Sequence, residues 1–486
     1  MASETAATSP QPPLDWPTLG RIVLKALLLF ALLNAAFAAV RPLESLGRLS
    51  LYNAPFPGRA RLPYGERPAD DYNLTLNNLP AMFAAHELAR PKAADEFRVL
   101  LMGDSGTWGW FLANHDTLAG QLNARGLRAA DGRRIVVYNL GYPVLSLTKD
   151  LLLLDTALSY DPDLVLWPVT LHSFARGRQL DHPLLQQNAG RVRDLIARYD
   201  LALDPFDSRL VVRTRLDETL VARRRDLADL LRLQALALAW AATGIDQAIP
   251  ADIPPRQSDL DDDESWLDVA APRLLTDNDV TFDVLRAGVA RAGNIPVVII
   301  NEPIFISNGA NSAVRYNAFY PRWAYDQYRD LLARTAAAEG WRYVDLWDAI
   351  PPDEFTDTPV HLTPAGSRLL ADLLVEEAGT TEYADFTDGQ YYSTLDSCSP
   401  AAGTQPATVV PAPGTEWNSN APPDISSRVA IDFRPKLPAC CAAWRVSSDD
   451  PRPSSQTANR TRPFSRVSVT DAALASAWAT VLSSAC

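Results

Sequence analysis

From Phe97 onward the apolar positions follow two alternating habits. Short continuous apolar runs bounded by turn residues, Phe97–Met102, Ile135–Leu140, Leu164–Trp167, Pro296–Ile300 and Tyr343–Leu346, predict strands buried on both faces. Between and after them, apolar residues recur at helical spacing near Leu112–Leu122, Lys149–Leu158, Phe282–Ala292, Tyr325–Glu339 and Pro364–Glu377. Strands that alternate with helices are joined by crossovers, so the pattern predicts an α/β fold. It consists of a parallel, doubly wound sheet of about five strands with helices on both faces.

Five stretches stand outside that rhythm. Residues 1–21 are polar, and Ile22–Val40 is apolar except for Lys25 and Asn34. The second stretch is just long enough to cross a bilayer, which takes about 20 residues. It also carries the h-region and the Ala36-Phe37-Ala38 site of a secretory signal, so anchor and cleaved signal are both open. The arginines on either side give no clean orientation, and either route leads to the membrane, with the catalytic region expected outside the cytoplasm. Residues 42–95, rich in Pro, Asn and Gly, read as an irregular stem that ends in a helix around Leu79–Leu88. Between about 175 and 279 the chain reads as a helical insertion in the domain 96–380. Leu227–Ile245 is its most apolar part, with a second span as the alternative to a packed helix. Residues 396–486 are of low complexity: from residue 400 on they hold 11 of the 38 prolines, which predicts a disordered tail.

Composition narrows the chemistry. With 45 basic and 58 acidic residues the net charge is −13, which repels polyphosphate and argues against nucleic-acid partners. All four cysteines, Cys398, Cys440, Cys441 and Cys486, lie in the tail region, so neither disulfides nor a Cys-based zinc site can organise the body. Asp261-Asp262-Asp263-Glu264 reads as a solvated loop, with a cation site as its alternative. No metal-ligand spacing and no Walker, dinucleotide or HExxH signature is present, so no cofactor is expected. Any histidine mechanism must draw on five residues: His86, His115, His172, His182 and His361.

The first strand runs into Gly103-Asp104-Ser105-Gly106 and then into a helix. This places a serine hydroxyl at the carboxyl end of a parallel strand, where open α/β sheets bind ligands and where a helix N-terminus favours negative charge. Capping by Ser105 or Asp104 is the alternative. A serine nucleophile needs a base, and His361 follows the last strand, just ahead of a helix that Thr363 and Pro364 begin. Asp357 is near enough in sequence to orient that imidazole. At the ends of the second and third strands, Gly141 in Asn139-Leu140-Gly141 and Thr170 and His172 in Thr170-Leu171-His172-Ser173 are candidate oxyanion donors. Asp104, Asn139, Asn301 and Glu302 complete the strand ends as substrate-pocket candidates. Trp108, Trp110, Tyr142 and Tyr320 are placed either to stack on sugar rings or to fill the core.

Taken together, these blocks make region 96–380 resemble an SGNH (GDSL-type) hydrolase. The resemblance implies a three-layer, flavodoxin-like fold with serine esterase, lipase or carbohydrate acetyl-esterase activity. It implies Ser105 as nucleophile, with its amide and that of Gly141 as oxyanion donors. Two blocks depart from the family's pattern. Thr170–Ser173 stands where the family has Gly-x-Asn-Asp, leaving His172 as the substitute for the asparagine donor. The residue three before His361 is Thr358, with Asp357 one position further back. The expectation is a membrane-associated serine hydrolase that hydrolyses or transfers O-acyl esters of a small molecule or an envelope carbohydrate. A catalytically weak relative that binds glycans or partners is the alternative, and a phosphate or sulfate hydrolase ranks below it for want of a metal constellation.

Overall fold

A computed structural model describes residues 15–65, 73–244 and 247–380. The expected tail, with its four cysteines, lies outside the described residues, as do residues 1–14 of the polar N-terminal segment.

The five apolar runs form the strands β1 (Glu96–Leu101), β2 (Arg134–Asn139), β3 (Leu164–Val169), β4 (Val297–Asn301) and β5 (Arg342–Asp345). They pair in parallel in the order β2-β1-β3-β4-β5. That order reverses direction between β1 and β3, the switch point at which such sheets open a crevice at their carboxyl ends. Each strand presents alternate residues to two separate cores. Val99, Leu101, Leu164 and Ile300 face one core, together with Leu118 and Leu122 of the helix Leu118–Ala124 and Leu370 and Ala371 of the last helix, Pro364–Thr380. Leu100, Val165, Trp167 and Ile299 face the other, against helices Leu147–Ala157, Phe282–Ala292 and Arg322–Glu339. A sheet sandwiched between helices on both faces is the three-layer α/β arrangement that the alternation predicts.

The segment 42–95 does not stand off as a stem. Tyr52, Leu62, Leu74, Leu76, Met82 and Phe83 are buried in the larger core. Helix Leu79–Ala85 ends earlier than its apolar pattern suggests and is followed by a 3₁₀ turn, Glu87–Ala89. Two buried arginines fasten the segment. Arg61 lies over the Trp108 ring at 4.3 Å and donates to the Gly109 carbonyl at 2.9 Å, and Arg59 donates to the Tyr52 hydroxyl at 2.8 Å. The insertion is helical as expected, with helices Pro183–Gln187, Ala189–Tyr199 and Arg224–Thr243. The last of these is a packed helix, since Leu230, Leu233, Ala237 and Trp240 are buried against the body.

The apolar N-terminal segment is a helix from Trp16 to Val40, with Pro17 in its first turn, running unbroken through Ala36-Phe37-Ala38. It is the one helix among the described residues whose length and composition suit a membrane span or a signal sequence. Asn34 donates to the Phe30 carbonyl at 2.9 Å and accepts from the Val221 amide at 3.0 Å.

The layer spacing over β3 depends on one missing side chain. A Cβ on Gly288 would lie 2.3 Å from Trp167 Cζ3, so G288A must push the helix off the sheet. A loss of about 1–3 kcal/mol is expected, as for other overpacked cores. Urea unfolding reads it as a lowered midpoint at unchanged slope.

Candidate active site

β1 ends at Leu101, and the chain turns through Met102 and Gly103 into the four-residue helix Ser105–Trp108. Gly103 has φ +134°, and a Cβ there would meet Thr107 Oγ1 at 2.3 Å, so only glycine suits both the backbone and the space. Asp104 caps the helix, its Oδ1 accepting from the Gly106 amide at 2.8 Å. Capping by Asp104 leaves Ser105 Oγ at the half-buried mouth of the turn.

His361 comes from the opposite side of this mouth. Phe355 and Leu362 close a loop as an antiparallel bridge, the Thr356 amide donates to the His361 carbonyl at 2.8 Å, and Thr363 Oγ1 accepts from the Gly366 amide to start the final helix. Within that loop Asp357 and His361 face each other. Asp357 Oδ1 accepts from Nδ1 at 2.8 Å, and Nε2 lies 2.8 Å from Ser105 Oγ. A carboxylate at Nδ1 holds the proton there, so Nε2 is the acceptor for the serine hydroxyl. Burial alone would raise the Asp357 carboxyl, but the His361 hydrogen bond and charge hold it below the usual carboxylate range. The Trp110 ring stacks beside the imidazole with centroids 5.9 Å apart and covers one face. The loop accommodates the four-residue step from Asp357 to His361.

The other candidates divide. Gly141 sits where its Cβ would be 2.4 Å from the Trp108 amide nitrogen, so glycine permits the close approach of the two turns. Its own N–H donates to Asn139 Oδ1 at 3.0 Å, so Asn139 competes for the proton expected at an oxyanion. Asn139 is not a pocket residue: it is buried, and its Nδ2 donates to the Thr107 carbonyl at 2.9 Å. Thr170 is engaged with the Tyr320 hydroxyl at 3.2 Å and caps the turn Leu171–Phe174. The His172 ring is set against Phe319, Trp266 and Tyr320, with centroids 5.1, 6.4 and 4.8 Å away. Among the described residues no hydrogen bond joins Thr170 or His172 to Ser105 or His361, and buried His172 Nε2 has no partner. Asn301 points into the core rather than into a pocket. It is fully buried, donating to Asp345 Oδ1 at 2.8 Å and accepting from the Tyr328 hydroxyl at 3.1 Å, which ties the ends of β4 and β5 to the helix Arg322–Glu339. The amide has gone to the core because its neighbours are polar groups of the same layer.

Glu302 remains beside the site, lining a small cavity with Gly106, Thr107, Pro168 and Val360. Burial pushes its carboxyl well above the usual range, and Asp104 and Asp150 push the same way. Sequence reasoning missed Lys149, which is fully buried. Its Nζ donates to the Gly103 carbonyl at 2.9 Å and to the Tyr142 carbonyl, and pairs with Asp150 Oδ1 at 2.9 Å. It thereby fastens the serine turn to the turn after β2. A Lys-Asp pair directly ahead of the apolar run Leu151–Leu154 in the helix Leu147–Ala157 was the available signal. Among the described residues no group of His, Cys, Asp and Glu could hold a metal ion, the exposed acidic run at 261–264 included.

No family model matches the chain, and no curated protein matches it. Among solved structures it is similar to an aryl esterase from M. smegmatis (15% identity, 58% of this chain and 98% of that one, TM-score 0.27). It is likewise similar to a carbohydrate acetylesterase from Sinorhizobium meliloti (12% identity, 58% and 98%, TM-score 0.26). A protein of the G-D-S-L family from Desulfitobacterium hafniense also matches (11% identity, 58% and 98%, TM-score 0.26).

Two buried histidines make the fold sensitive to acid. Burial, with Arg178 and Arg315 nearby, pushes the His172 imidazole down to about 3. Burial and Lys149 do the same to His182, against the opposing pull of the Pro143 carbonyl. The unfolded chain takes up these protons near pH 6.5 while the folded one refuses them, so their contribution is intact above pH 6.5 and is lost as pH falls toward 3. Each histidine therefore costs about 2 kcal/mol between pH 6.5 and 5. In urea unfolding at those two pH values, H172N should lose less stability than the unsubstituted chain by that amount. An unchanged loss would mean that His172 is not held neutral.

Proposed function

We propose that the chain is a serine hydrolase acting on O-acyl esters, with Ser105 as nucleophile, His361 as general base and Asp357 as the group that orients the imidazole. The single observation that carries this reading is the continuous relay from Asp357 Oδ1 through His361 to Ser105 Oγ, with both links at 2.8 Å. A hydroxyl is protonated at neutral pH and becomes nucleophilic only when a base removes its proton as it attacks. Capping needs no such relay, and Asp104 already performs it.

In this mechanism Ser105 Oγ attacks the acyl carbonyl while His361 Nε2 takes the hydroxyl proton. Asp357 stabilises the imidazolium that forms. The Ser105 amide, at the start of a helix, is a donor for the oxyanion. The Gly141 amide becomes a second donor when it turns from Asn139 Oδ1 to the developing charge, which competes better for a proton than a neutral amide oxygen. Collapse expels the alcohol, which takes the proton from His361. Water, or an acceptor hydroxyl in a transfer reaction, then attacks the acyl-enzyme by the same route. His172, neutral and with Nε2 open, is the remaining candidate donor, and reaches the oxyanion only if its aromatic surroundings turn it toward Ser105. An acyl ester of a small molecule or of an envelope carbohydrate is the proposed substrate, and the helix Trp16–Val40 is the proposed membrane anchor.

A fluorophosphonate probe tests the relay directly. The intact chain should be labelled, S105A and H361A should lose the label, and D357N should slow ester hydrolysis by about 10²–10⁴-fold, as expected when the imidazole loses its orienting carboxylate. Labelling that persists in S105A, or a folded chain that never labels, overturns the assignment and favours a binding role.

A further inference from the structure

The helix Arg224–Thr243 is apolar on two opposite sides. Leu230, Leu233, Ala237 and Trp240 are buried against the body, while Leu231, Ala235, Leu238 and Ala242 form a stripe at helical spacing on the outside. Leu231 is 64% exposed and Leu238 51%. The loop before the helix also exposes Val211, Val212, Leu216 and Val221, Leu216 being 79% exposed. A helix that faces a protein core on one side and water on the other carries polar residues outward; here the exposed charges Arg224, Arg225 and Arg232 lie at the start and edge of the face, and the stripe from Leu231 to Ala242 is apolar. Contiguous exposed apolar surface marks a missing partner.

The position of the surface identifies that partner. The Val221 amide donates to Asn34 Oδ1, inside the apolar helix Trp16–Val40. Gln234, on the insertion's helix, accepts from the Leu51 amide at 2.8 Å and donates to the Leu49 carbonyl at 3.2 Å, just after that apolar helix ends. Asn34 lies six residues before Val40, or about 9 Å along the axis at 1.5 Å per residue. Elements that rest in the headgroup and acyl boundary sink roughly 5–10 Å, so with residues 22–40 in a bilayer the Val221 amide would sit at that depth. The exposed Arg215, Arg224 and Arg225 border the apolar residues in a chain that is acidic overall. Long guanidinium side chains at such a border reach the phosphates while their stems lie on apolar surface.

We propose that the outward face of the insertion, from Val211 through the helix Arg224–Thr243, beds into the lipid bilayer beside the N-terminal helix. The inference rests on reading residues 22–40 as a membrane anchor. The chain would then hold the membrane by one crossing helix and one interfacial face, and the same two-sided helix explains why Leu227–Ile245 reads as nearly apolar enough to span.

The test uses the full chain with its four cysteines replaced by serine, reconstituted in vesicles of phosphatidylcholine and phosphatidylglycerol. Nitroxide labels at L216C, L238C, L28C and, as a water-exposed reference, D131C are read by collision with oxygen, which concentrates in lipid, and with a water-soluble nickel chelate. The proposal expects L216C and L238C to resemble L28C, with an oxygen-to-nickel ratio several-fold above that of D131C. If L28C is in lipid while L216C and L238C match D131C, the inference fails and the anchor stands. If L28C itself reports water, the anchor reading fails and the inference falls with it. Labels at L216C and L238C shielded from both reagents would show that protein, a second copy or another chain, covers the face, which also overturns the proposal.

Discussion

The close approach of two backbone turns governs the active edge of this molecule. The turn after β1 carries Ser105 and the turn after β2 carries Gly141, and they meet so tightly that no side chain fits on Gly141. Contact at that range needs the carbonyls and amides on both sides to be satisfied, because a buried backbone group without a partner is costly. Asn139 answers for Thr107 and Gly141, and Lys149 answers for Gly103 and Tyr142. A buried lysine is costly by itself, and its pairing with Asp150 and two carbonyls is what makes it tolerable. The position of Ser105 is therefore set by neighbours that never touch its hydroxyl.

The fold was legible because strands covered on both faces must be continuously apolar, and that signal survives in any single sequence. β1 to β5 fall within about two residues of the five apolar runs, and the final helix starts where Thr363 and Pro364 place it. Ser105, His361 and Asp357 were legible for a related reason. Each sits at a strand end or in a loop whose boundaries the apolar pattern fixes, so position along the chain translated into position at one sheet edge.

What stayed hidden depends on contacts between distant parts of the chain. Arg61 lies in a Pro-rich stretch, yet its guanidinium serves the last carbonyl of the helix Ser105–Trp108 and carbonyls of the turn after it. Asn301 and Glu302 are adjacent and look interchangeable as pocket residues. Strand alternation sends the first to a tyrosine cluster and the second to the cavity by Gly106. The place of His172 is set by Trp266 from the insertion and Phe319 from the far side of β4, and no local spacing encodes that meeting.

The burial of segment 42–95 has a geometric consequence for where the molecule can act. Val40 ends the apolar helix, Leu43 is already buried, and Tyr52 and Leu62 are fully enclosed. A flexible linker lets a tethered domain sweep a volume that grows with its length, and here that slack is missing. With residues 22–40 held in a bilayer, Ser105, the proposed nucleophile, would work at a single height above the surface, as a tool on a fixed arm does. Its ester would have to be brought to that height by diffusion along the plane or by the shape of whatever carries it, and esters farther from the membrane would pass out of reach.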